Sequence, residues 1–239
     1  IQFSTDPLFT MKSISFSTLA AAVLLACGAT QSAKAVQIAW GSEFEALLFQ
    51  ANGATLDASY TFELGTFTVG FVPTEYNLAD WQSNWKLLDR ADWSVPNQNF
   101  VGFVDINGSG NVSNGTEADP STVFAVGEQL YVWAFNSQTL NPGVTEWALV
   151  TRTQPDPFVT PTVFDWVIPN YAQGDAQEVR LQDADIVIYG GLNNVQGPGE
   201  YSSTPPAYQL QTHVVPEPGS ALLIGAIGLL ARLRRSRQR

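Results

Sequence analysis

Short runs rich in β-branched and aromatic residues recur along the middle of the chain, and they constrain the fold more than any other feature. Several of the runs alternate apolar with polar residues, as strands with one buried face do. Clusters of Asn, Gly, Ser and Pro separate them at the short spacing typical of turns. The sequence therefore predicts a mainly β body, a single domain of β-sandwich or jelly-roll type. The predicted strands are 61–71, 99–106, 128–136, 145–152, 162–168 and 184–191.

One stretch, 78–91, shows a helical period instead. Asn77 precedes it as a candidate N-cap, and Asp80 follows three residues later. We expect one short helix here, with its apolar stripe packed on the sheet. The stripe consists of Leu78, Trp81, Trp85 and Leu88.

Charge is distributed very unevenly. The 180 residues from Val36 to Val215 hold twenty carboxylates and four basic side chains, a net charge of −16. Such a balance opposes the phosphates of nucleic acids and anionic lipids, and it leaves divalent cations or neutral sugars as natural partners. The composition therefore excludes nucleic acid as a partner.

The N-terminal region predicts an export signal over residues 1–35. Lys12 follows Met11, an uncharged apolar run covers 16–26, and Ala33 and Ala35 provide the small residues that signal peptidase accepts before Val36. We expect Met11 to be the true start of translation.

Cys27 leaves a second interpretation open. The residues Leu24-Leu25-Ala26-Cys27 resemble a lipobox, in which Cys27 would be acylated and become the first residue. Cys27 is the only cysteine in the chain. Cleavage after Ala35 would therefore leave a mature protein without a disulfide, a thiolate metal site or a cysteine nucleophile.

The C-terminal region predicts a single hydrophobic transmembrane helix. The thirteen residues 219–231 are uncharged, and as a helix they would span about 20 Å of the roughly 30 Å hydrocarbon core. Arginine stems can extend to the lipid headgroups and close the difference. By the positive-inside rule, the five arginines hold the C-terminus in the cytoplasm and leave the body outside. They are Arg232, Arg234, Arg235, Arg237 and Arg239.

Three elements in order at this end resemble the PEP-CTERM sorting signal of Gram-negative bacteria. They are the tripeptide Pro216-Glu217-Pro218, the short apolar span and the arginine cluster, and together they occupy 215–239. The resemblance implies recognition by exosortase, a membrane-embedded processing enzyme, with cleavage near the tripeptide. It also implies an inner-membrane intermediate and delivery to the cell surface or an exopolysaccharide matrix. A plain single-span anchor is the alternative. The predicted organisation is a body over 36–196 and an extended linker over 197–214.

A polar loop inside the body resembles a calcium-binding loop. Oxygen-bearing side chains stand at alternating positions, and Gly110 occupies the sixth position. The twelfth position holds Thr116 rather than a bidentate acid. A turn between two strands is the alternative interpretation. The candidate calcium ligands are Asp105, Asn107, Ser109 and Asn111.

Seven tryptophans suggest either a large core or a sugar-binding surface. Trp133, Trp147 and Trp166 stand among apolar neighbours in predicted strands, which favours the core. Indoles exposed on a common sheet face would instead favour carbohydrate binding.

Catalysis finds little support in the sequence. His213, the only histidine, falls in the predicted linker, so a serine triad or a histidine metal site is disfavoured. A pair of carboxylates of glycosidase type stays open among the twenty acids. We therefore predict a non-enzymatic, exported surface, matrix or biofilm protein with no required cofactor. A carbohydrate-binding module is the first alternative, and a carboxylate-based glycoside hydrolase is the second.

Overall fold

The computed structural model describes residues 35–153, 166–170 and 176–217. Over these ranges the chain is mainly β with one α-helix, in agreement with the predicted class. The helix is α1 (Leu78–Asn84). The strands are β1 (Val36–Gly41), β2 (Leu48–Phe49), β3 (Thr61–Phe67), β4 (Trp85–Asp92), β5 (Val101–Ile106), β6 (Tyr131–Phe135), β7 (Glu146–Thr151), β8 (Gln177–Arg180), β9 (Ile186–Tyr189), β10 (Gly191–Leu192), β11 (Val195–Gln196), β12 (Leu210–Gln211) and β13 (His213–Val214).

The strands form three sheets. A three-stranded sheet has the order β5-β1-β8, with β1 antiparallel to β5 and parallel to β8. A four-stranded sheet has the order β11-β10-β12-β2. A six-stranded sheet has the order β13-β7-β6-β3-β4, and β9 also pairs with β7.

Five of the six predicted strands correspond to β3, β5, β6, β7 and β9. Of the sixth, 162–168, the structure describes only the last three residues, where Val167 forms an isolated bridge with Gln129. The prediction missed β1, β4 and the short strands β2, β8 and β10–β13. The strands that the sequence identified are therefore those dense in β-branched and aromatic residues, whereas the longest strand, β4, was missed.

Both faces of the six-stranded sheet are buried. On one face, residues such as Phe62, Leu64 and Val132 join Ile38 and Val104 of the three-stranded sheet in the main core. On the other face lies a second, aromatic cluster that α1 covers. Consecutive residues of β6 and β7 therefore point into two different apolar clusters, which explains their nearly continuous apolar sequences. The aromatic cluster contains Phe67, Leu78, Trp81, Trp133, Phe135, Trp147, Leu149, Tyr189 and Val215.

The helix is half as long as predicted, because α1 ends at Asn84 and β4 begins at Trp85. The Asn84 carbonyl accepts a hydrogen bond from the Thr68 amide at 2.8 Å, which starts the pairing with the preceding strand region. A register shift opposite Leu64 and Gly65 then leaves Leu88 unpaired in β4. This bulge disturbs the strand alternation, so the successive residues Leu88 and Asp89 are both buried, while Trp85 packs on the opposite face against the aromatic cluster.

The predicted N-cap is not formed in the expected way, since the Asn77 side chain makes no capping hydrogen bond. Its Oδ1 instead accepts from the Thr74 amide at 2.8 Å and from the Trp81 indole Nε1 at 2.9 Å. Asn77 therefore orients the tryptophan that α1 places over the sheet.

The last part of the predicted linker belongs to the folded body. Residues 210–211 and 213–214 form β12 and β13, and Tyr208, Leu210 and His213 are buried. The Pro- and Ser-rich composition suggested an extended spacer, but Tyr208 and Leu210 alternate with glutamines and pack into the body. The body therefore continues to Val215, which is 1% exposed.

No helix within the described ranges is long and apolar enough to cross a membrane. The predicted transmembrane segment, Pro218, the five arginines, Cys27 and Ala33 lie outside the described residues.

Candidate functional sites

The predicted sorting tripeptide, Pro216-Glu217-Pro218, begins directly at the end of the folded body. The amide of Val215 donates to the Thr145 carbonyl at 2.8 Å, and its carbonyl accepts from the Gly143 amide at 2.9 Å. Pro216 is partly buried and Glu217 is exposed. The structure thus places the tripeptide one residue after a buried core position, without a spacer.

A partly buried carboxylate, Glu146, holds the chain just before this junction. Glu146 Oε2 accepts hydrogen bonds from the Ala51 amide at 2.9 Å, the Tyr60 hydroxyl at 2.6 Å and the Thr212 hydroxyl at 2.7 Å. Burial, followed by the hydrogen bond to Glu146, raises the pKa of Tyr60 well above its ordinary range. Three separate segments therefore meet at one carboxylate, which restrains the C-terminal strands.

His213 lies in β13 rather than in a linker, and it is fully buried. Its Nδ1 lies 2.9 Å from the Pro198 carbonyl oxygen, and its Nε2 lies 2.6 Å from Gln196 Oε1. The ring stacks on Tyr201 with a centroid distance of 4.7 Å. Both ring nitrogens contact acceptors within the body, so burial of the ring, rather than a position in a linker, disfavours a histidine catalyst.

The tryptophans are core residues, as predicted for Trp133, Trp147 and Trp166. Trp40, Trp81 and Trp93 are buried as well, and Trp85 is partly buried. Trp81 stacks on Trp147 at 5.5 Å, and Trp133 meets Trp147 edge to face at 5.0 Å. None of the seven indoles presents an open face for a sugar ring.

Two other carboxylates are buried in the body. Asp89 accepts from the Trp40 indole and from the Thr116 amide, each at 2.7 Å, and Glu63 is bonded by Arg90 and by Gln138. Burial raises the pKa of both carboxyls, against the opposing effect of these hydrogen bonds. Side chains and a backbone amide of the body itself satisfy both carboxylates, which indicates that they stabilise the fold.

The loop predicted to bind calcium is occupied by its own hydrogen bonds. Asn107 Oδ1 accepts from the amides of Ser109 at 2.9 Å and Asn111 at 3.2 Å. The Asp105 carboxylate is bonded by Asn114 and Gln37. Asn111 points its amide nitrogen toward the carbonyls of Pro120 and Thr122, away from a shared ligand centre. These contacts favour the turn interpretation over the calcium-loop interpretation.

In the described ranges, no group of three or more His, Cys, Asp or Glu side chains is arranged to hold a metal ion.

A groove of about 390 Å³ lies on the outer face of the three-stranded sheet. Val101 and Phe103, two residues apart on β5, form its apolar floor and are 58% and 55% exposed. Gln182 donates to Glu43 at 3.1 Å, and Arg180 donates to Asp183 at 2.8 Å. This groove was not predicted from the sequence, although Phe103 at an outward position of an alternating strand was a visible signal. Its polar lining residues are Ser42, Glu43, Glu178, Arg180 and Gln182.

Comparisons of the chain with protein-family models, curated proteins and solved structures find no match.

Proposed function

We propose that the protein is an exported, exosortase-sorted component of the cell surface or exopolysaccharide matrix, with a non-enzymatic β-sandwich body. The observation that carries the proposal is the order of the C-terminal elements: Pro216-Glu217-Pro218, an apolar span and five arginines. The tripeptide follows a buried strand end, where Glu217 is exposed. This arrangement supports a process in which a membrane enzyme takes up the tripeptide beside an already folded body.

Two features of the body support a structural or adhesive role. The six-stranded and three-stranded sheets share one core, which is the packing expected of a sandwich. The body is also strongly acidic. A stable acidic body suits a hydrated extracellular matrix, where net charge keeps protein surfaces apart.

Replacement of the tripeptide tests the sorting proposal. The chain from Met11 is expressed in a Gram-negative host with an exosortase and in the same host without one. We expect processed body at the cell surface only in the first host. Changing Pro216, Glu217 and Pro218 to alanine should leave membrane insertion intact and trap the full-length chain in the inner membrane, as shown by fractionation and intact mass.

The exposed proline Pro206 provides a matched control, since Pro206→Ala should be processed like the parent. Replacement of the five arginines by neutral residues should disturb orientation itself. Equal processing of the alanine-tripeptide variant and the parent would overturn the sorting proposal and leave a plain anchor.

The groove favours carbohydrate binding as a second candidate function. Phe103 and Val101 give an apolar floor for the C–H face of a sugar, and the polar rim offers hydrogen-bond partners for its hydroxyls. Phe103→Ala should weaken retention of the body on a neutral polysaccharide gel. Tyr76→Ala should not, because Tyr76 is an 89% exposed aromatic residue outside the groove. Equal retention of the two variants would exclude the groove. Release of reducing sugar that Glu178→Gln abolishes would indicate a hydrolase instead.

A further inference from the structure

The last strand of the body is held by a short segment that we name the C-terminal clasp, residues 196–201. The amide of Val214 donates to the Glu200 carbonyl at 2.7 Å, and the amide of Glu200 donates to the Val214 carbonyl at 3.2 Å. His213 adds two contacts, to the Pro198 carbonyl and to the Gln196 side chain. The clasp therefore contacts β13 through two backbone hydrogen bonds and through the fully buried imidazole of His213.

A chain of amide groups fixes which atom of Gln196 faces the histidine. Gln211 Nε2 lies 3.1 Å from the Gln50 carbonyl and 2.6 Å from the Ser203 carbonyl, and because carbonyls only accept, this atom must be the NH₂ group. Gln211 Oε1 is then an acceptor, so the Gln196 atom 2.8 Å away is also NH₂. Gln196 therefore turns its carbonyl oxygen toward His213.

Both ring nitrogens of His213 consequently face oxygen acceptors. A neutral imidazole carries one N–H, so it can satisfy either Pro198 or Gln196 but leaves a lone pair against the other oxygen. A second proton would complete both hydrogen bonds, but it would bury a cation. The clasp therefore has an incomplete contact in one protonation state and a buried charge in the other.

Burial decides between the two states. It lowers the pKa of His213, and the Pro198 carbonyl and the Glu146 carboxylate on β7 oppose this by favouring the charged form. The other ionisable groups on the packed elements are Tyr189 of β9, whose ring centroid lies 6.5 Å away, and Tyr201 and Glu200 of the clasp. At neutral pH the folded body therefore holds a neutral ring.

We propose that His213 makes the C-terminal clasp acid-sensitive: protonation favours a locally opened state in which the clasp and β13 separate and the imidazole reaches water. Since the folded state binds the proton more weakly than the opened state, the contribution of His213 to the stability of the closed clasp is complete above the ordinary histidine pKa of about 6.5. This contribution is lost as the pH falls through the lower pKa of the folded state. Opening would release the residues just before Pro216 from the body. The clasp would therefore control the length of flexible chain between the folded body and the tripeptide. The proposal rests on contacts within the body and does not require that the tail be processed.

Titration of His213 is the first test. As the only histidine, it gives a single imidazole signal in NMR spectra of the full chain in detergent, purified without a histidine tag. We expect the pKa of His213 to lie below 6.5 in the parent. It should be higher in Gln196→Glu, where a carboxylate accepts from Nε2, and lower in Gln196→Leu. A parent pKa at or above 6.5, or the same pKa in all three proteins, would overturn the proposal.

Hydrogen exchange tests the opening itself. After correction for the intrinsic rate, exchange of the Val214 and Glu200 amides should increase as the pH falls from 7.5 to 5.5, by at most about tenfold per pH unit for one proton. Amides between β6 and β7 should not follow this dependence. His213→Gln should abolish the dependence, and Gln196→Glu should weaken it; if His213→Gln does not fold, the comparison of the parent with Gln196→Glu decides. Equal protection of Val214 at both pH values would contradict the proposal.

Discussion

The indole Nε1 of Trp40 donates a hydrogen bond to Asp89 Oδ2 at 2.7 Å. Trp40 lies in β1 of the three-stranded sheet and Asp89 in β4 of the six-stranded sheet, so this bond joins the two sheets through the core. Asp89 Oδ1 accepts from the Thr116 amide, which also ties the 107–116 loop to β4. The bond crosses directly over Gly102 of β5, where any side chain would collide with both partners.

Gly102→Ala should therefore destabilise the body strongly. Its Cβ would overlap the Trp40 indole nitrogen and come within 2.5 Å of Asp89 Oδ2. We expect a loss of at least about 2 kcal/mol in the free energy of unfolding, because overpacking and a broken buried hydrogen bond combine. Gly70→Ala is the control: a Cβ added at Gly70 would meet no atom within 4 Å, so only the strain of its positive φ, about 1 kcal/mol, applies. Urea unfolding followed by tryptophan fluorescence measures both, and equal losses would contradict the inter-sheet role.

Asp89→Asn should change the pH dependence of stability. Burial raises the pKa of Asp89, so its stabilising contribution is complete below about 3.8 and is lost as the pH rises through the folded-state value. The asparagine variant should lack this decline. It should also lose about 1–3 kcal/mol, since its NH₂ group would face an N–H donor. Urea titrations from pH 4 to 7 measure the difference between the two proteins, and parallel curves would contradict the prediction.

The sequence predicted β3, β5, β6, β7 and β9 because their apolar positions are dense and their boundaries carry clear turn residues. It failed at β4, where the unpaired Leu88 puts two successive buried residues, Leu88 and Asp89, into one strand. A bulge depends on the partner strand, and no local pattern contains that information. The helix boundary at Asn84 likewise depends on the contact with Thr68.

The candidate sites divide in the same way. The tripeptide and the arginine cluster each lie within a short stretch of sequence, so the sequence alone could predict them. The contacts of His213 come from Gln196 and Pro198 on a separate strand and loop, and the composition of 197–214 indicated a linker instead. The alternation of Tyr208, Leu210 and Thr212 with Gln209, Gln211 and His213 was the signal that could have identified β12 and β13.

Removal of the Trp81 side chain should detach α1 from the sheet. Trp81 is fully buried, stacks on Trp147 and donates to Asn77, so Trp81→Ala should cost about 3–5 kcal/mol. It should also reduce the near-UV circular dichroism of the aromatic cluster. Tyr76→Ala, in the loop before α1, should stay within about 0.5 kcal/mol of the parent, because Tyr76 is 89% exposed. Comparable losses in the two variants would show that α1 contributes little packing.

The 105–116 loop should respond to loss of its own hydrogen bonds rather than to calcium. Asn107→Ala removes the acceptor of two backbone amides and should cost about 1–2 kcal/mol. Millimolar calcium should leave the melting temperature of the parent unchanged. Saturation at a hundredfold excess over Kd would stabilise a calcium-binding body by about 2.7 kcal/mol. A rise in melting temperature that Asp105→Ala abolishes would establish the calcium site.

The mature chain should begin Val36-Gln37-Ile38. Ala33 and Ala35 are the small residues that signal peptidase accepts, and Val36 is fully buried at the start of β1, where it pairs with Ile106 of β5. Cleavage after Ala35 therefore leaves β1 intact, whereas a cut inside β1 would remove residues of the strand that joins β5 to β8. Intact-mass analysis of protein exported from a Gram-negative host measures this end directly. Ala35→Leu should block processing and Cys27→Ala should leave it unchanged; a lipid-modified Cys27 at the N-terminus would contradict the prediction and place the protein among the lipoproteins.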